Sequence, residues 1–285
     1  MKSRSIMEGS CLAAMVSDLC RSGTDVTGTG YRPVSISQLN ANRPMREEGL
    51  TRMGLEIESR PSDSPYIERV WRSSSSEVNR MTSVATAHWD LVFWQHCGQV
   101  SVAVQGPESK ASPAPVPEDA TFFGIIFSLG TSLSHLPVNR LVDGSAEIPD
   151  ATRRSFWLNG SAWRLPDYDN AEGFVRRMVG EGVLVCDPVV TAALRGAPAD
   201  VSERTVQRRF VAATGLTRGA ITQIGRARQA AVLIQEGMPA HDVAYRLGYF
   251  DQPHLARSLT RYIGRTATQL RDRDPSEPLS LLYKT

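Results

Sequence analysis

Two clusters of side chains in this sequence are equipped to recognise a polyanion. The first is Arg204, Gln207 and Arg208; the second is Gln252, Pro253, His254, Arg257 and Arg261. A guanidinium is a planar fork of donors that fits a phosphate or the O6/N7 edge of guanine, and a glutamine amide fits the N6/N7 edge of adenine. At helical periodicity, counted from Ser202, Val206, Phe210 and Ala213 share one face. Arg204 and Arg208 project from the opposite face, with Gln207 beside them. Counted from Asp251, Leu255, Leu259 and Tyr262 form an apolar stripe; Pro253, Arg257 and Thr260 face away, flanked by His254 and Arg261. Two helices that each carry Arg outward from an apolar back meet the requirement for reading a major groove. Three roles stay open for Arg257: base-edge readout, phosphate contact and structural ion pair. Arg208 suits phosphate better. His254 suits a base, a phosphate or plain helix surface, and Gln252 suits an adenine or the turn beside Asp251. Arg226 and Arg228 read as structural or solvated.

These side chains need helices to position them, and the capping residues are in place. Asp187-Pro188 starts a short helix that Gly196 ends, because aspartate caps free N–H groups and proline fits the first helical position. Ser202 caps residues 203–214, and Gly215 stops them. Thr217 opens a long helix to residue 236, closed by Gly237. Residues 242–247 form another short helix before Gly248, and Asp251 caps the last one, which runs to about Gly264. The long helix spans 20 residues, about 30 Å at the α-helical rise. Neighbouring major grooves on one side of DNA repeat at about 34 Å, so a strut of this length suits two reading helices in adjacent grooves. Its stripe of Ile224, Ala227, Ala231 and Ile234 supplies the packing surface for both units.

The net charge of +2, from 32 basic and 30 acidic residues, argues at first against a nucleic-acid partner. That average conceals a division at Cys186. From there onward 14 Arg or Lys face 9 Asp or Glu, whereas the first 185 residues carry 18 against 21. Between residues 201 and 271 the ratio is 11 to 4, the footprint of a nucleic-acid-binding module or of a solvated charged surface. Arg outnumbers Lys 29 to 3 across both halves, so that ratio carries little weight.

The first part of the chain has a different character. Residues 1–64 are rich in Ser, Arg, Gly and Met with little periodicity beyond a short helical stretch across residues 7–19, and read as a flexible leader. Patterned sequence begins at Tyr66, which makes Met45 or Met53 a candidate start. Residues 67–72, 84–96, 100–104 and 122–129 are rich in β-branched and aromatic types and predict strands. Cys97-Gly98, Gly106-Pro107 and a linker over residues 113–117 punctuate them. All five Trp (Trp71, Trp89, Trp94, Trp157, Trp163) fall here and suit a barrel or sandwich interior. A helix follows, capped by Asp169 or Asn170, with Phe174, Val175 and Met178 as its apolar stripe.

Against this background the C-terminal motifs resemble the AraC/XylS family of bacterial transcription regulators. Val201-Ser-Glu-Arg-Thr-Val-Gln-Arg-Arg-Phe210 is similar to the family's first reading helix, and Arg226-Ala-Arg-Gln-Ala-Ala-Val-Leu-Ile234 to its linker helix. Asp242-Val-Ala-Tyr-Arg-Leu-Gly-Tyr249 with Asp251-Gln-Pro-His-Leu-Ala-Arg257 resembles its second helix-turn-helix, and Gly264-Arg-Thr-Ala267 falls where the family closes the domain. Ala240, Leu259 and Ala267 depart from its usual residues. The connection from Ala192 to Ser202 leaves almost no room for the extra helix of the family's first unit, which favours phosphate contacts for Arg204 and Arg208. The resemblance implies an α+β multidomain protein: a β-rich, cupin-like N-terminal domain and an all-α C-terminal domain with two helix-turn-helix units. Its implied partners are double-stranded DNA, a small-molecule effector, RNA polymerase and a second copy in a homodimer.

The domain boundaries expected on this basis are a leader over 1–64, an effector or dimerisation domain over 65–185, the DNA-binding domain over 186–272 and a tail over 273–285. No cofactor and no metal are expected. His88, His96 and Cys97 lack a usable metal-ligand spacing, and Cys11, Cys20, Cys97 and Cys186 form no CxxC pair. There is no GxSxG, Walker-type loop or HExxH, so the reading is non-enzymatic. With no apolar run long enough to span a membrane and no secretory signal, a cytoplasmic location is expected. The alternative is a small-molecule-binding or catalytic β-domain whose helical appendage binds other proteins.

Overall fold

The protein, represented by a computed structural model, is described over residues 7–8, 54–76, 80–197, 201–272 and 278–280. Its N-terminal half is built on a seven-stranded antiparallel sheet. The strands are β1 (Met7–Glu8), β2 (Gly54–Pro61), β3 (Ile67–Ser76), β5 (Asp90–His96), β6 (Gln99–Gln105), β8 (Thr121–Phe127) and β10 (Gly144–Ile148), in the order β1-β10-β6-β5-β8-β3-β2. Three two-stranded ribbons complete it: β4 (Arg80–Ser83) with β7 (Ser112–Pro115), β9 (Thr131–Leu133) with β13 (Leu184–Cys186), and β11 (Ser155–Leu158) with β12 (Ser161–Arg164). Cys97 and Gly98, both at positive φ, make the tight turn from β5 to β6.

The sheet buries both faces. On one, Leu91, Phe93, Val102, Val104, Ile125 and Phe127 pack with Phe156, Trp163 and the helix α1 (Ala171–Gly180). On the other, Val92, Trp94, Ala103 and Phe122 form a second apolar cluster with Val116 and Ala120. Alternation along each strand assigns residues to the two faces. Trp89, Trp94 and Trp163 are interior, as expected, but Trp157 is 54% exposed on its small ribbon.

Several boundaries differ from the sequence expectations. The leader was expected to run to residue 64, yet β1 and β2 lie within it, and β2 pairs with β3 over its full length. Gly54 and Pro61 bound the short alternating run of β2, and its partner strand lies beyond the turn at residues 62–66. The rest of the stretch expected to be helical near the N-terminus, and both candidate start methionines, lie outside the described residues. The proline-rich linker is in part strand β7, which pairs only with β4, so its prolines sit where no second ladder needs their missing N–H groups. Residues 278–280, assigned to a tail, dock on β4: Thr82 N–H donates to the Pro278 carbonyl (2.9 Å) and Ser280 N–H to the Thr82 carbonyl (2.8 Å). Asn170 precedes α1 without capping it, since its Oδ1 accepts backward from Asp167 N–H at 3.0 Å.

The C-terminal half is all-α: α2 (Pro188–Leu194), α3 (Glu203–Thr214), α4 (Arg218–Gln235), α5 (Ala240–Arg246), α6 (Gln252–Tyr262) and α7 (Ala267–Asp272). Asp187, Ser202, Thr217 and Asp251 each accept a backbone N–H from the turn they open. The final helix was not among the sequence expectations. Thr266 and Gln269 start it reciprocally, Thr266 Oγ1 accepting from Gln269 N–H and Gln269 Oε1 from Thr266 N–H.

Candidate nucleic-acid interface

Helix α3 is fixed by its back. Phe210 and Ala213 are buried against Val190 of α2, and Gly215, in the left-handed region at φ 75°, ends the helix. Val206 is half-buried behind them. Arg204, Gln207 and Arg208 are exposed; Gln207 Nε2 donates to Glu203 Oε1 at 3.4 Å. The neighbouring Arg209 points elsewhere and pairs with Asp187 at 2.9 Å, tying α3 to the start of α2. Only residues 195–202 separate α2 from α3.

Helix α6 repeats the design. Leu255 and Leu259 are buried in the core shared with α4 and α5, and Tyr262 is half-buried beside it. Gln252, Pro253, Arg257 and Arg261 are exposed. His254 is half-buried: its ring packs edge-on against Tyr249 and its Nδ1 accepts from Phe250 N–H at 3.4 Å. These contacts give His254 a place in the turn of the second unit. Two aromatic residues of that unit escaped the sequence reading, Tyr245 at 90% and Phe250 at 92% exposure. Aromatic residues between a helix and its turn signal, with no place in the apolar stripe, are the sign that was available.

Helix α4 is the beam between the units. Ile224, Ala227, Ala231 and Ile234 are buried along it, and its 18 residues span about 27 Å. Arg226 donates to the Gly248 carbonyl (3.2 Å) and to Gln223 Oε1 (2.6 Å), and its guanidinium lies over the Tyr249 ring. Arg228 turns the other way and is buried, donating Nη1 to the Ala85 carbonyl at 3.0 Å.

That last bond belongs to an extensive junction between the halves. Val84 is buried in the α4–α6 core. Ala85 N–H donates to the Tyr262 carbonyl (2.8 Å) and Ala111 N–H to the Arg261 carbonyl (2.9 Å), so the N-terminal half satisfies carbonyls that the end of α6 leaves unbonded. Beneath this junction lies a cavity of about 110 Å³, with Ser83, Val84, Thr86 and His88 on one wall, the second sheet face on another, and Arg228 reaching in from α4.

The cavity holds two acids that sequence reasoning passed over. Burial pushes Asp90 up to about 8, assisted by the Glu108 charge and opposed by a hydrogen bond from Trp71. Burial likewise raises Glu108 to about 7; the Ser83 hydroxyl (2.5 Å) and the Arg228 charge pull it back, and the Asp143 charge raises it. Burial lowers His88, whose Nδ1 lies 2.9 Å from the Phe127 carbonyl. The available sign was Asp90 itself, an acid within the run Trp89-Asp90-Leu91-Val92-Phe93-Trp94.

Residues 197–273 match a family model described as a helix-turn-helix domain. The two Arg-bearing helices lie within the matched stretch, so this part of the chain is a helix-turn-helix domain. No curated protein matches the chain. Among solved structures, the chain is similar to ToxT from Vibrio cholerae (the P21 form at 1.65 Å resolution), with 7% identity and a TM-score of 0.36 over 76% of this chain and 98% of that one. ToxT from Vibrio cholerae O395 gives 8%, 0.35, 75% and 96%. The same protein bound to (E)-4-(8-methylnaphthalen-1-yl)but-3-enoic acid gives 8%, 0.32, 76% and 98%.

Proposed function

We propose that the protein is a sequence-specific transcription regulator that sets α3 and α6 into successive major grooves of one DNA duplex. The observation that carries this is the pair of exposed basic helix faces, Arg204, Gln207 and Arg208 on α3 and Gln252, Pro253, Arg257 and Arg261 on α6, joined through α4. At about 27 Å, α4 falls about 7 Å short of the groove repeat of about 34 Å, and the offset of α3 and α6 beyond its ends makes up the rest. Arg257 is assigned to a base edge and Arg208 to phosphate, with His254 supporting the turn behind α6. The N-terminal half, from β2 to residue 185, is the regulatory part and residues 186–272 are the DNA-binding part.

Regulation is read from the junction. The segment that lines the cavity, residues 83–88, also bonds the carbonyl end of α6, so a ligand in the cavity acts on the position of a reading helix through the Ala85–Tyr262 hydrogen bond and the Val84 contact. Transcription then responds through RNA polymerase or through a second copy of the chain.

The test is selection of bound duplexes from a random pool with the full chain, followed by hydroxyl-radical footprinting. Two protected segments one helical turn apart are expected. A single segment, or no sequence preference at moderate salt, would overturn the reading.

A further inference from the structure

The beam α4 carries two arginines that meet the two helix-turn-helix units in the same way. We propose that Arg218 and Arg226 are positioning residues, one for each reading helix: Arg218 sets α3 against α4, and Arg226 sets α6 against it. Both roles rest on α3 and α6 being the helices that enter DNA.

Arg218 is the first residue of α4. Its Nη2 donates to the Ala193 carbonyl near the end of α2 (3.2 Å), and its guanidinium lies 5.9 Å from the centre of the Phe210 ring. Phe210 is the buried anchor of α3. Eight residues and about 12 Å further along α4, Arg226 repeats the arrangement on the second unit. Its Nη1 donates to the Gly248 carbonyl in the turn before α6 (3.2 Å), and its guanidinium lies 4.4 Å from the centre of the Tyr249 ring. Tyr249 is in turn held to α6 twice: its hydroxyl lies 3.2 Å from Ser258 Oγ, and its ring meets His254 edge-on. At each place one guanidinium bonds a backbone carbonyl and covers an aromatic ring of the same unit. A planar fork of donors can do both at once.

What these joints fix is orientation. Helix α3 is held through Phe210 and Ala213, and α6 through Leu255 and Leu259, by apolar contacts that have no preferred direction. Hydrogen bonds do have one. A reading helix free to rock on its apolar back is in the binding orientation for only part of the time, and affinity falls with that fraction. The two joints differ in strength. Arg226 is half-buried, and its Nη2 also donates to Gln223 Oε1 (2.6 Å), so both terminal nitrogens are committed within the protein. Arg218 is exposed, and α3 has a further tie in the Arg209–Asp187 pair. Loss of Arg226 therefore has the larger effect.

The test compares Arg218→Gln and Arg226→Gln in the full chain. Hydrogen exchange of the free protein reads the joints without DNA. Arg226→Gln should speed exchange across residues 249–255 and leave residues 203–214 as in wild type; Arg218→Gln should do the reverse. Hydroxyl-radical footprinting on the selected duplex reads the consequence. Each variant is expected to lose one of the two protected segments, and not the same one. Affinity for that duplex should fall about ten-fold for Arg226→Gln and about three-fold for Arg218→Gln. The salt slope on mixed-sequence DNA should stay at its wild-type value in both, because neither guanidinium is assigned to a phosphate. A slope lower by about one unit in either variant marks a phosphate contact and overturns the positioning role of that residue. Exchange that is unchanged, or raised alike at both reading helices as a general loosening would give, overturns the proposal whatever the footprint. If the crossed exchange pattern is found but the wild-type chain protects no pair of segments, the joints stand and the regulator reading falls. If wild type protects two segments and both variants keep them, that reading stands and the positioning roles fall.

Discussion

Arg257 and Arg208 occupy equivalent outward positions on different helices, and their expected losses differ in kind. Arg257 is exposed on α6, three residues beyond the capped first turn. A bidentate contact to guanine contributes about 1–3 kcal/mol of discrimination. Arg257→Ala is therefore expected to lower the ratio of specific to non-specific binding by about ten-fold or more, measured by competition at fixed salt; an unchanged ratio excludes base readout. Arg208→Ala should instead weaken binding to all sequences alike and reduce the slope of log K against log salt by about one unit. An unaltered slope removes the phosphate assignment. Both exposures were legible in the sequence, because helical rotation around Phe210 and Leu255 dictates which residues face outward. The roles of Arg226 and Arg228 were less so. Both were read as structural or solvated, but nothing in their spacing could say that one closes over Tyr249 while the other crosses to the carbonyl of Ala85.

Among the elements, helices were far more legible than sheet order. Ser202, Thr217 and Asp251 cap where their residue types say they should, since a side-chain oxygen satisfying a free N–H is a local event. Removing the Ser202 cap (Ser202→Ala) is expected to destabilise the protein by about 1 kcal/mol, read by urea unfolding, and to weaken DNA binding by loosening the start of α3. Full stability in that variant would mean that packing of Phe210 alone fixes the helix. The sheet is different: β6 pairs with β10 and β3 with β8 across long stretches of chain, and local alternation does not encode a partner. Gly124 illustrates what only the assembled sheet reveals. A Cβ there would collide with the Trp71 indole, which lies across β8 and reaches Asp90 on the far neighbouring strand. The glycine is there to let an aromatic side chain cross a strand.

At the scale of the whole molecule, the buried acids should govern stability against pH. Asp90 and Glu108 have folded pKa values raised to about 8 and about 7, above the unfolded carboxylate range of about 4. Their stabilising contribution is fully present below that range and is lost as pH rises through the folded values. Glu172 runs the other way: its bonds with Arg60 lower it to about 2, so its contribution is present above the ordinary range and is lost as pH falls. The melting temperature is expected to decline between pH 5 and pH 8.5, and Asp90→Asn should flatten part of that decline. An identical profile in wild type and variant would show that Asp90 is ionised in the folded state. The same region bears on how such proteins can be recombined. Val84 sits within the hydrophobic core of the C-terminal half, and residues 278–280 return to bond Thr82. A chimera cut at residue 186 would leave a hole where Val84 belongs and a sheet edge stripped of its partner. The two halves are consecutive in the chain but not interchangeable parts, and any graft onto a new sensor must carry residues 80–88 as part of the DNA-binding half.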